Sequence, residues 1–428
     1  MLAFNFGGFF LLVRMVSMHE FGLWNLYLSI ISILEVVRAG LLRNALSKFL
    51  GSEEAVAHGE IQTASLFLNT VATMVGSFGL IAFSAPLADL WDSPDLGAML
   101  WVHGLTAIFL VLFTQFDYLH HAYMNFSAVF WTNVARRGLL FLFIVVAYFG
   151  NFEFTLVQLA WYQAGATALA TIWSYFLIKN YLILSRKLSV SWIKKQVNFG
   201  KYVVGTNLSS MLYKSIDQFM LGYLISTEAV AKYSIAVRVT NLVEVPTTAI
   251  STVVFPQSVK RQQTGGEESV RYLYEKSVGV ILALMIPMSV FILLLPGFVV
   301  WIVAGDQYAD TATVLQITIL YTLFVPYARQ FGTLLDSMGQ PKVNFYFTAI
   351  SMILNVISNY IFIKQFGLIG SAYGTLITYM ISFVMMQIVI TRKLKVRTLR
   401  TFYYMFDFYR TSWHTGMGIL RRRFGKTT

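Results

Sequence analysis

The sequence predicts an all-α integral membrane protein with twelve transmembrane helices in two six-helix lobes. Three observations carry this prediction: the composition, the apolar segments and the alternating charge of the connectors. Of the 428 residues, 57% are hydrophobic and only 12% are charged, whereas soluble domains carry about 25% charged residues. The composition excludes an ordinary soluble globule. It also excludes a disordered chain, which has too little apolar surface to bury.

Twelve apolar segments have about the length of a membrane-spanning helix, which needs about 20 residues. They lie at 1–16, 22–46, 62–86, 97–117, 130–149, 155–178, 200–224, 232–257, 276–303, 311–331, 343–363 and 368–391. The first is barely long enough, which indicates either a short tilted helix or a natural start further upstream. Transmembrane strands would instead give alternating stretches of about 10 residues.

Lys and Arg concentrate in every second connector, and this asymmetry predicts the orientation in the membrane. The basic connectors contain residues 43–48, 179–201, 260–276 and 342, and the tail from 392 onward is basic as well. The other connectors are acidic or neutral. Even-numbered spans should therefore end in the cytoplasm, and both termini should be cytoplasmic. The net charge of +12 is then topological bias, and we expect no nucleic-acid partner.

An internal repeat is visible when the chain is compared with itself. Pro86 and Trp91 are matched by Pro296 and Trp301, both 210 positions later (296 − 86 and 301 − 91). Such matches favour two halves of the same orientation, related by an axis along the membrane normal. The predicted organisation is an N-terminal lobe at 1–178, a basic cytoplasmic linker at 179–200, a C-terminal lobe at 201–391 and a basic aromatic cytoplasmic tail at 392–428.

The tail mixes aromatic residues with arginines between 401 and 424. This pattern is typical of a segment that lies on the anionic inner leaflet, so membrane lipids are expected partners.

Enzyme signatures are nearly absent. The chain has no cysteine, which excludes disulfides and thiolate metal sites. His19 and Glu20 begin a zinc-protease pattern, but Leu23 stands where the second His is needed. His120 and His121 are adjacent, so they point to different faces of a helix. We therefore expect no enzymatic activity, no metal and no cofactor.

Charged residues inside the predicted spans are the candidate functional residues, because each costs about 2.5 to 3.5 kcal/mol on insertion. Glu35 and Arg38 are three positions apart in the second span, as are Lys214 and Asp217 in the seventh. Each pair can therefore meet on one helical face and neutralise itself.

Other charges have no such local partner. Arg14 and Arg238 have no carboxylate at helical spacing nearer than Glu244, which itself matches Glu35 at 209 positions (244 − 35). These two arginines are candidate anion ligands in a water-filled cavity. Arg136 and Arg137, near the inner end of the fifth span, are expected to snorkel toward the interface.

Several motifs resemble one known family. Ser215–Gly222, with Ala231–Ser234 and Phe255–Pro256 after it, resembles the seventh-to-eighth helix signature of bacterial O-antigen-type polysaccharide flippases of the MOP superfamily. Gly305–Tyr308 and Phe366–Ala372 are similar to later loops of that family. Arg14 with Glu20–Leu23 is similar to its first loop.

The resemblance implies a MOP- or MATE-like fold and a non-enzymatic flippase of the bacterial cytoplasmic membrane. Such a protein moves a polyprenyl-diphosphate-linked oligosaccharide to the outer leaflet by alternating access, for surface polysaccharide and lipopolysaccharide biosynthesis. Its partners would be the lipid-linked oligosaccharide and the polysaccharide polymerase machinery.

The resemblance also implies a cationic cavity between the lobes. There, Arg14, Arg38, Lys214 and Arg238 would balance the charge of the diphosphate. Asp217, Glu35 and Glu244 are candidates for coupling transport to H⁺ or Na⁺.

Two alternatives remain open at this point. A multidrug or cation antiporter of related topology would need an acidic cavity, which Glu35 and Glu244 favour and Arg14 and Arg38 disfavour. A membrane-embedded glycan polymerase or ligase is disfavoured by the absence of a large outer loop and by the internal repeat.

Overall fold

The computed structural model describes the backbone of residues 2–424. It describes the side chains in that range except at 2–3, 52, 202, 206, 256, 259, 262–265, 341 and 414–424. The tail arginines Arg421–Arg423 and Lys426 therefore lie outside the described side chains. The described residues are helical and contain no β-strand, which confirms the all-α prediction.

Contacts between Cα atoms divide the chain into two compact units, Met1–Ala231 and Lys232–Thr428. The described helices of the first unit are α1 (Leu2–Met15), α2 (Met18–Ser52), α3 (His58–Ala82), α4 (Ser84–Leu90), α5 (Pro94–Leu105), α6 (Ala107–Ala122), α7 (Phe126–Gly150), α8 (Leu156–Ile178) and α9 (Val190–Leu224). The two lobes at 1–178 and 201–391 are defined from the internal repeat in the sequence, not from contacts. They stay a prediction.

Helix α10 (Thr227–Val243) begins in the first unit and continues into the second. The described helices that follow are α11 (Val245–Leu294), α12 (Pro296–Ala304), α13 (Thr311–Thr322), α14 (Val325–Ser337), α15 (Pro341–Leu394) and α16 (Thr398–Phe424). Two of these are interrupted by glycines with positive φ, α11 at Gly266 (φ 60°) and α15 at Gly367 (φ 62°). L side chains rarely adopt this backbone region, so Gly367 permits the sharp break between the last two predicted spans.

Helix α2 begins at a local signal in the sequence. The Ser17 hydroxyl accepts a hydrogen bond from the Glu20 N–H at 3.2 Å, and the Glu20 carboxylate accepts one from the Ser17 N–H at 2.8 Å. This reciprocal capping box satisfies two backbone donors that the first turn leaves free. It fixes the start of the helix that carries Glu35 and Arg38.

The predicted spans coincide with helices, but five of them are divided between two consecutive described helices: 62–86, 97–117, 232–257, 276–303 and 311–331. Segment 97–117 is divided between α5 and α6, which bend by 58° at Thr106. Segment 311–331 is divided between α13 and α14. Within the described residues, six helices are long and apolar enough to span a membrane, or seven if the bent pair is one span. The membrane-protein class is supported, and the count of twelve stays a prediction.

The order of elements recurs along the chain. The series α3, α4, α5 and α6 consists of a long helix, a short helix and a broken helix, and the same order follows Gly266 through α12, α13 and α14. Pro86 lies in the short helix of the first series, and Pro296 begins that of the second. The recurrence agrees with the repeat in sequence, while the arrangement in two six-helix lobes stays a prediction.

Helices α2 and α9 pack closely in the first unit. A Cβ atom added at Gly200 on α9 would lie 2.3 Å from the backbone oxygen of Leu41 on α2. Nearby, Leu42 and Leu46 of α2 are fully buried in an apolar cluster that includes Trp192 of α9.

We expect Gly200→Ala to lower the thermal stability of the folded protein, because overpacking a tight contact costs about 1 to 3 kcal/mol. Gly165→Ala on α8 is the matched control, since nothing lies within 4 Å of its added Cβ. The control should be neutral or slightly stabilising, as Ala favours helices. Size-exclusion profiles of detergent-solubilised protein after heating measure both variants. Equal melting temperatures for the two would contradict the close approach of α2 and α9.

Candidate functional site

A cluster of charged side chains lies inside the first unit between α2 and α7. Arg136 on α7 donates from Nη2 to Glu35 Oε1 on α2 at 3.0 Å. Its Nε also donates to the Thr167 hydroxyl on α8 at 3.3 Å. We call Glu35, Arg38, Arg136 and Arg137 the arginine cluster. It ties three helices together by polar contacts within an otherwise apolar region.

Arg38 is the most buried member of the arginine cluster, with 3% of its surface exposed. Its Nη1 donates to the Thr73 hydroxyl on α3 at 3.1 Å. Its Nε has no hydrogen-bond acceptor among the described residues. A buried guanidinium with an unused donor is costly unless an anion or water completes its contacts.

The arginine cluster carries an excess of positive charge. Arg38 and Arg137 both interact electrostatically with Glu35 and Arg136, and Arg137 also with Asp117, so the three guanidinium groups of the cluster face its one carboxylate. Such an arrangement favours an anion with several oxygens, because planar guanidinium forks match phosphate and carboxylate geometry. Chemically, the cluster can bind a multivalent anion more readily than a cation.

A buried polar wall adjoins the arginine cluster. The Tyr27 hydroxyl on α2 donates to Gln163 Oε1 on α8 at 3.2 Å, and the Tyr27 ring meets His103 of α5 edge-on at 6.2 Å. On α3, Asn69 Nδ2 donates to the Thr114 hydroxyl of α6 at 3.0 Å. These contacts position the helices that surround the arginines.

A second group of charges centres on Asp117 of α6. Asn133 Nδ2 donates to Asp117 Oδ1 at 3.1 Å, and Arg43 Nη2 lies 3.6 Å from Oδ2. His121 Nε2 lies 3.8 Å from the same oxygen. This group joins α2, α6 and α7 a second time. Sequence reasoning missed it because Asp117 stands at the predicted end of a span, where charged residues are ordinary.

The structure brings together only some of the predicted site residues. Arg14 on α1 donates from Nη1 to the backbone oxygen of its own Phe10 at 2.8 Å, and its guanidinium carbon lies 3.8 Å from the centre of that ring. On α9, Lys214 is exposed whereas Asp217 is buried.

The remaining predicted residues lie in the second unit. Arg238 is a half-buried residue of α10. Glu244 occupies the junction between α10 and α11, where its backbone oxygen accepts the N–H of Thr247 at 2.9 Å. The substrate-binding and ion-coupling roles assigned to the predicted set stay predictions.

Arg38 interacts electrostatically with Glu35, as their spacing predicts, but the direct partners of these charges differ from the expectation. The recorded ion pair of Glu35 is with Arg136, whereas Arg38 donates to Thr73. Arg136 does not snorkel, because its side chain is 18% exposed and turns inward to Glu35. The physical reason is that tertiary packing brings α7 against α2, and spacing along one helix cannot reveal a partner 101 positions away.

Within the part of the chain that the structure describes, no three His, Asp or Glu side chains are grouped to hold a metal ion. The donors of the arginine cluster are cationic, and they are suited to an anionic ligand.

A family model of polysaccharide biosynthesis proteins matches residues 11–313. The chain belongs to this family. The match covers α2 through α12 almost entirely and therefore includes the arginine cluster and both groups of predicted residues.

Curated relatives are similar over different lengths. An uncharacterized membrane protein of Methanocaldococcus jannaschii is 24% identical over 402 residues, which cover 87% of this chain and 78% of that protein. Agl15 of Haloferax volcanii, a probable low-salt glycan biosynthesis flippase, is 26% identical over 188 residues. These residues cover 44% of this chain and 40% of Agl15. The lipopolysaccharide biosynthesis protein WzxC of Escherichia coli is 21% identical over 374 residues, 87% of this chain and 74% of its own.

Solved structures share the fold. The lipid II flippase MurJ, in an inward closed conformation, has a TM-score of 0.78 at 12% identity, covering 95% of this chain and 89% of its own. A MATE-family multidrug resistance transporter of the MOP superfamily, in an inward-facing conformation, has a TM-score of 0.77 at 15% identity, covering 92% of this chain and 94% of its own. The chain has the fold of the MOP superfamily, and its resemblance to polysaccharide flippases is confirmed.

Proposed function

We propose that this protein is a flippase that moves a polyprenyl-diphosphate-linked oligosaccharide from the inner to the outer leaflet for surface polysaccharide biosynthesis. The observation that carries the proposal is the arginine cluster, in which three guanidinium groups face one carboxylate inside a member of the polysaccharide biosynthesis family. Buried charges in a membrane protein are costly and mark a substrate path. A diphosphate is an anion that such a cluster suits.

The chemistry of the cluster supports an exchange of partners. In the structure, Glu35 Oε1 neutralises Arg136 Nη2 at 3.0 Å. A diphosphate group brings more negative charge than one carboxylate and can displace Glu35 from Arg136, while Arg38 offers its unused Nε. When the diphosphate is released, Glu35 pairs with Arg136 again. Glu35 therefore competes with the anion and keeps its binding from becoming too tight.

The wider mechanism extends this exchange to the whole transport cycle. Twelve spans in two lobes would alternate between inward-open and outward-open states. Arg14, Lys214 and Arg238 would add positive charge to the path, and the polyprenyl chain would stay in lipid between helices. Asp217, Glu35 or Glu244 would couple the cycle to H⁺ or Na⁺. The protein would act in a bacterial cytoplasmic membrane beside the polymerase machinery that uses its product.

The test is translocation in proteoliposomes that contain the purified protein and a fluorescent polyprenyl-diphosphate oligosaccharide. We expect lipid-linked sugar on the inner face to become accessible to an impermeant glycosidase added outside, at a rate well above that of protein-free vesicles. Vesicles with an Arg38→Ala variant provide the matched control. No translocation above protein-free vesicles, together with uptake of a cationic drug, would favour the antiporter and contradict the flippase.

Orientation can be tested because the chain has no natural cysteine. We expect cysteines at the exposed positions Asp95 and Glu153 to react with an impermeant thiol reagent added to intact cells, and cysteines at Lys187 and Gln257 to stay unlabelled. The four positions are exposed, so accessibility depends on the side of the membrane. Labelling of Lys187→Cys in intact cells would overturn the predicted orientation.

A further inference from the structure

A cationic cavity lies in the second unit, where the basic connector near residue 270 meets the tail helix α16. Its volume is about 370 Å³. Arg261, Arg271 and Arg400 line it, together with Tyr272 and Tyr404. We call it the tail cavity. Its lining includes no residue of the arginine cluster and none of the predicted site residues.

The walls of the tail cavity are held in place. The rings of Tyr272 on α11 and Tyr404 on α16 meet edge to face, with centres 5.5 Å apart at 90°. The start of α16 is fixed by a 2.8 Å hydrogen bond between the hydroxyls of Thr401 and Tyr327, and by Met405, which is buried in the apolar core of the unit. Arg400 and Tyr404 are therefore presented by a docked helix.

The charges around the tail cavity favour an anion. Arg271 Nη2 donates to Glu268 at 2.6 Å, and Glu268 is mostly exposed. Glu275, the other carboxylate of the lining, is 1% exposed, and its Oε1 accepts the backbone N–H of Arg397 at 2.8 Å. Glu275 thus holds the beginning of the tail helix.

Further donors surround the cavity. Arg261 lies over the Tyr272 ring, with its guanidinium carbon 5.4 Å from the ring centre, and donates to Ser269 at 3.3 Å. Lys276 donates to the Tyr272 hydroxyl at 2.9 Å. Three arginines and this lysine outnumber the two carboxylates, so the local charge is positive.

The tail helix also carries an exposed aromatic strip, of which the Tyr409 hydroxyl donates to the Ala283 backbone oxygen on α11 at 2.5 Å. Phe402, Phe406, Tyr409 and Trp413 are exposed and follow one another at spacings of four, three and four residues. Such spacing places them on one helical face. Aromatic side chains on an exposed face beside cationic residues are typical of a helix that lies in the membrane interface.

We propose that the tail cavity binds the phosphate of an anionic phospholipid of the cytoplasmic leaflet, while the aromatic strip enters the headgroup region beside it. Arg271 and Arg400 contact the phosphate oxygens, and the exposed Glu268 yields Arg271 to the lipid. Burial raises the pKa of Tyr404, so its hydroxyl remains a protonated donor at neutral pH. The lipid would anchor the tail helix to the membrane.

The test compares lipid binding to the full-length protein by native mass spectrometry, with phosphatidylglycerol and phosphatidylcholine as probes. We expect the wild type to prefer phosphatidylglycerol and Arg400→Gln to lower that preference about five-fold, the effect of one basic charge at an anionic leaflet. Arg400→Lys should retain most of it. Arg392→Gln is the matched control, since Arg392 is also exposed and basic but lies outside the cavity.

Each outcome decides the proposal. Arg400 is exposed, so its variants should fold, and an unchanged melting temperature in detergent verifies this. An equal loss in Arg400→Gln and Arg392→Gln would show diffuse attraction to the basic tail and would overturn the specific site. Displacement of phosphatidylglycerol by inorganic phosphate at equal concentration would show a site for soluble phosphate and would overturn the lipid assignment.

Discussion

Glu35→Gln and Arg136→Gln are expected to change the affinity for a polyprenyl-diphosphate lipid in opposite directions. In the structure, Glu35 Oε1 accepts a hydrogen bond from Arg136 Nη2 at 3.0 Å. Removing the carboxylate charge leaves three arginines available to the diphosphate, so binding should tighten by about ten-fold. Removing the Arg136 charge should weaken it by a similar factor, since hydrogen bonds to charged groups contribute about 1.5 to 3 kcal/mol.

Translocation should fall in both variants, for different reasons. Glu35→Gln should bind the lipid and release it slowly, whereas Arg136→Gln should fail to capture it. Fluorescence titration of purified protein with the diphosphate lipid gives the affinity, and the glycosidase assay gives the rate. Arg392→Gln, an exposed arginine outside the cluster, should change neither.

A purely structural ion pair makes a different prediction. Breaking a buried pair by removing one partner destabilises a protein, whereas removing both partners is far less harmful. The double variant Glu35→Gln with Arg136→Gln would then restore both the stability and the transport rate. Affinities that fall in parallel with melting temperature in both single variants would contradict the exchange of partners at Arg136.

The helices could be predicted from the sequence because their signals are local. The boundary expected between residues 363 and 368 coincides with the break at Gly367, where an apolar run is interrupted by a residue that permits positive φ. The bend at Thr106 could not be predicted, because segment 97–117 contains no proline that would mark a break within one span.

The sequence predicts residues of the candidate site only where a charged residue stands inside an apolar segment. Glu35 and Arg38 stand out because they interrupt a long apolar segment. Arg136 was assigned to the interface because it lies near the end of its span, and its pairing with Glu35 depends on a contact between distant helices. The tail cavity could not be predicted from the sequence either, because it also depends on a contact between distant helices. Arg261 on α11 and Arg400 on α16 line the same cavity only when the two helices pack together.

Arg38→Ala and Arg238→Ala are each expected to lower translocation per folded molecule by about ten-fold or more. Losing one contact to a phosphate oxygen removes roughly 1.5 to 3 kcal/mol of binding free energy. Arg38→Lys and Arg238→Lys should retain part of the activity, because a point charge still attracts phosphate without the bidentate fork. Arg14→Ala should have a smaller effect, since its guanidinium must first leave the Phe10 carbonyl.

If these arginines only stabilise the packing of the helices, a different result is expected. Its removal would lower the amount of folded protein in the membrane and leave the rate per folded molecule unchanged, and Lys would not rescue it, because Lys lacks the fork that reaches Thr73 from Arg38. Membrane abundance and translocation measured in the same vesicles separate the two roles. If Arg14→Ala, Arg38→Ala and Arg238→Ala all leave the rate per folded molecule unchanged, these cations do not bind the diphosphate and the proposed mechanism is wrong.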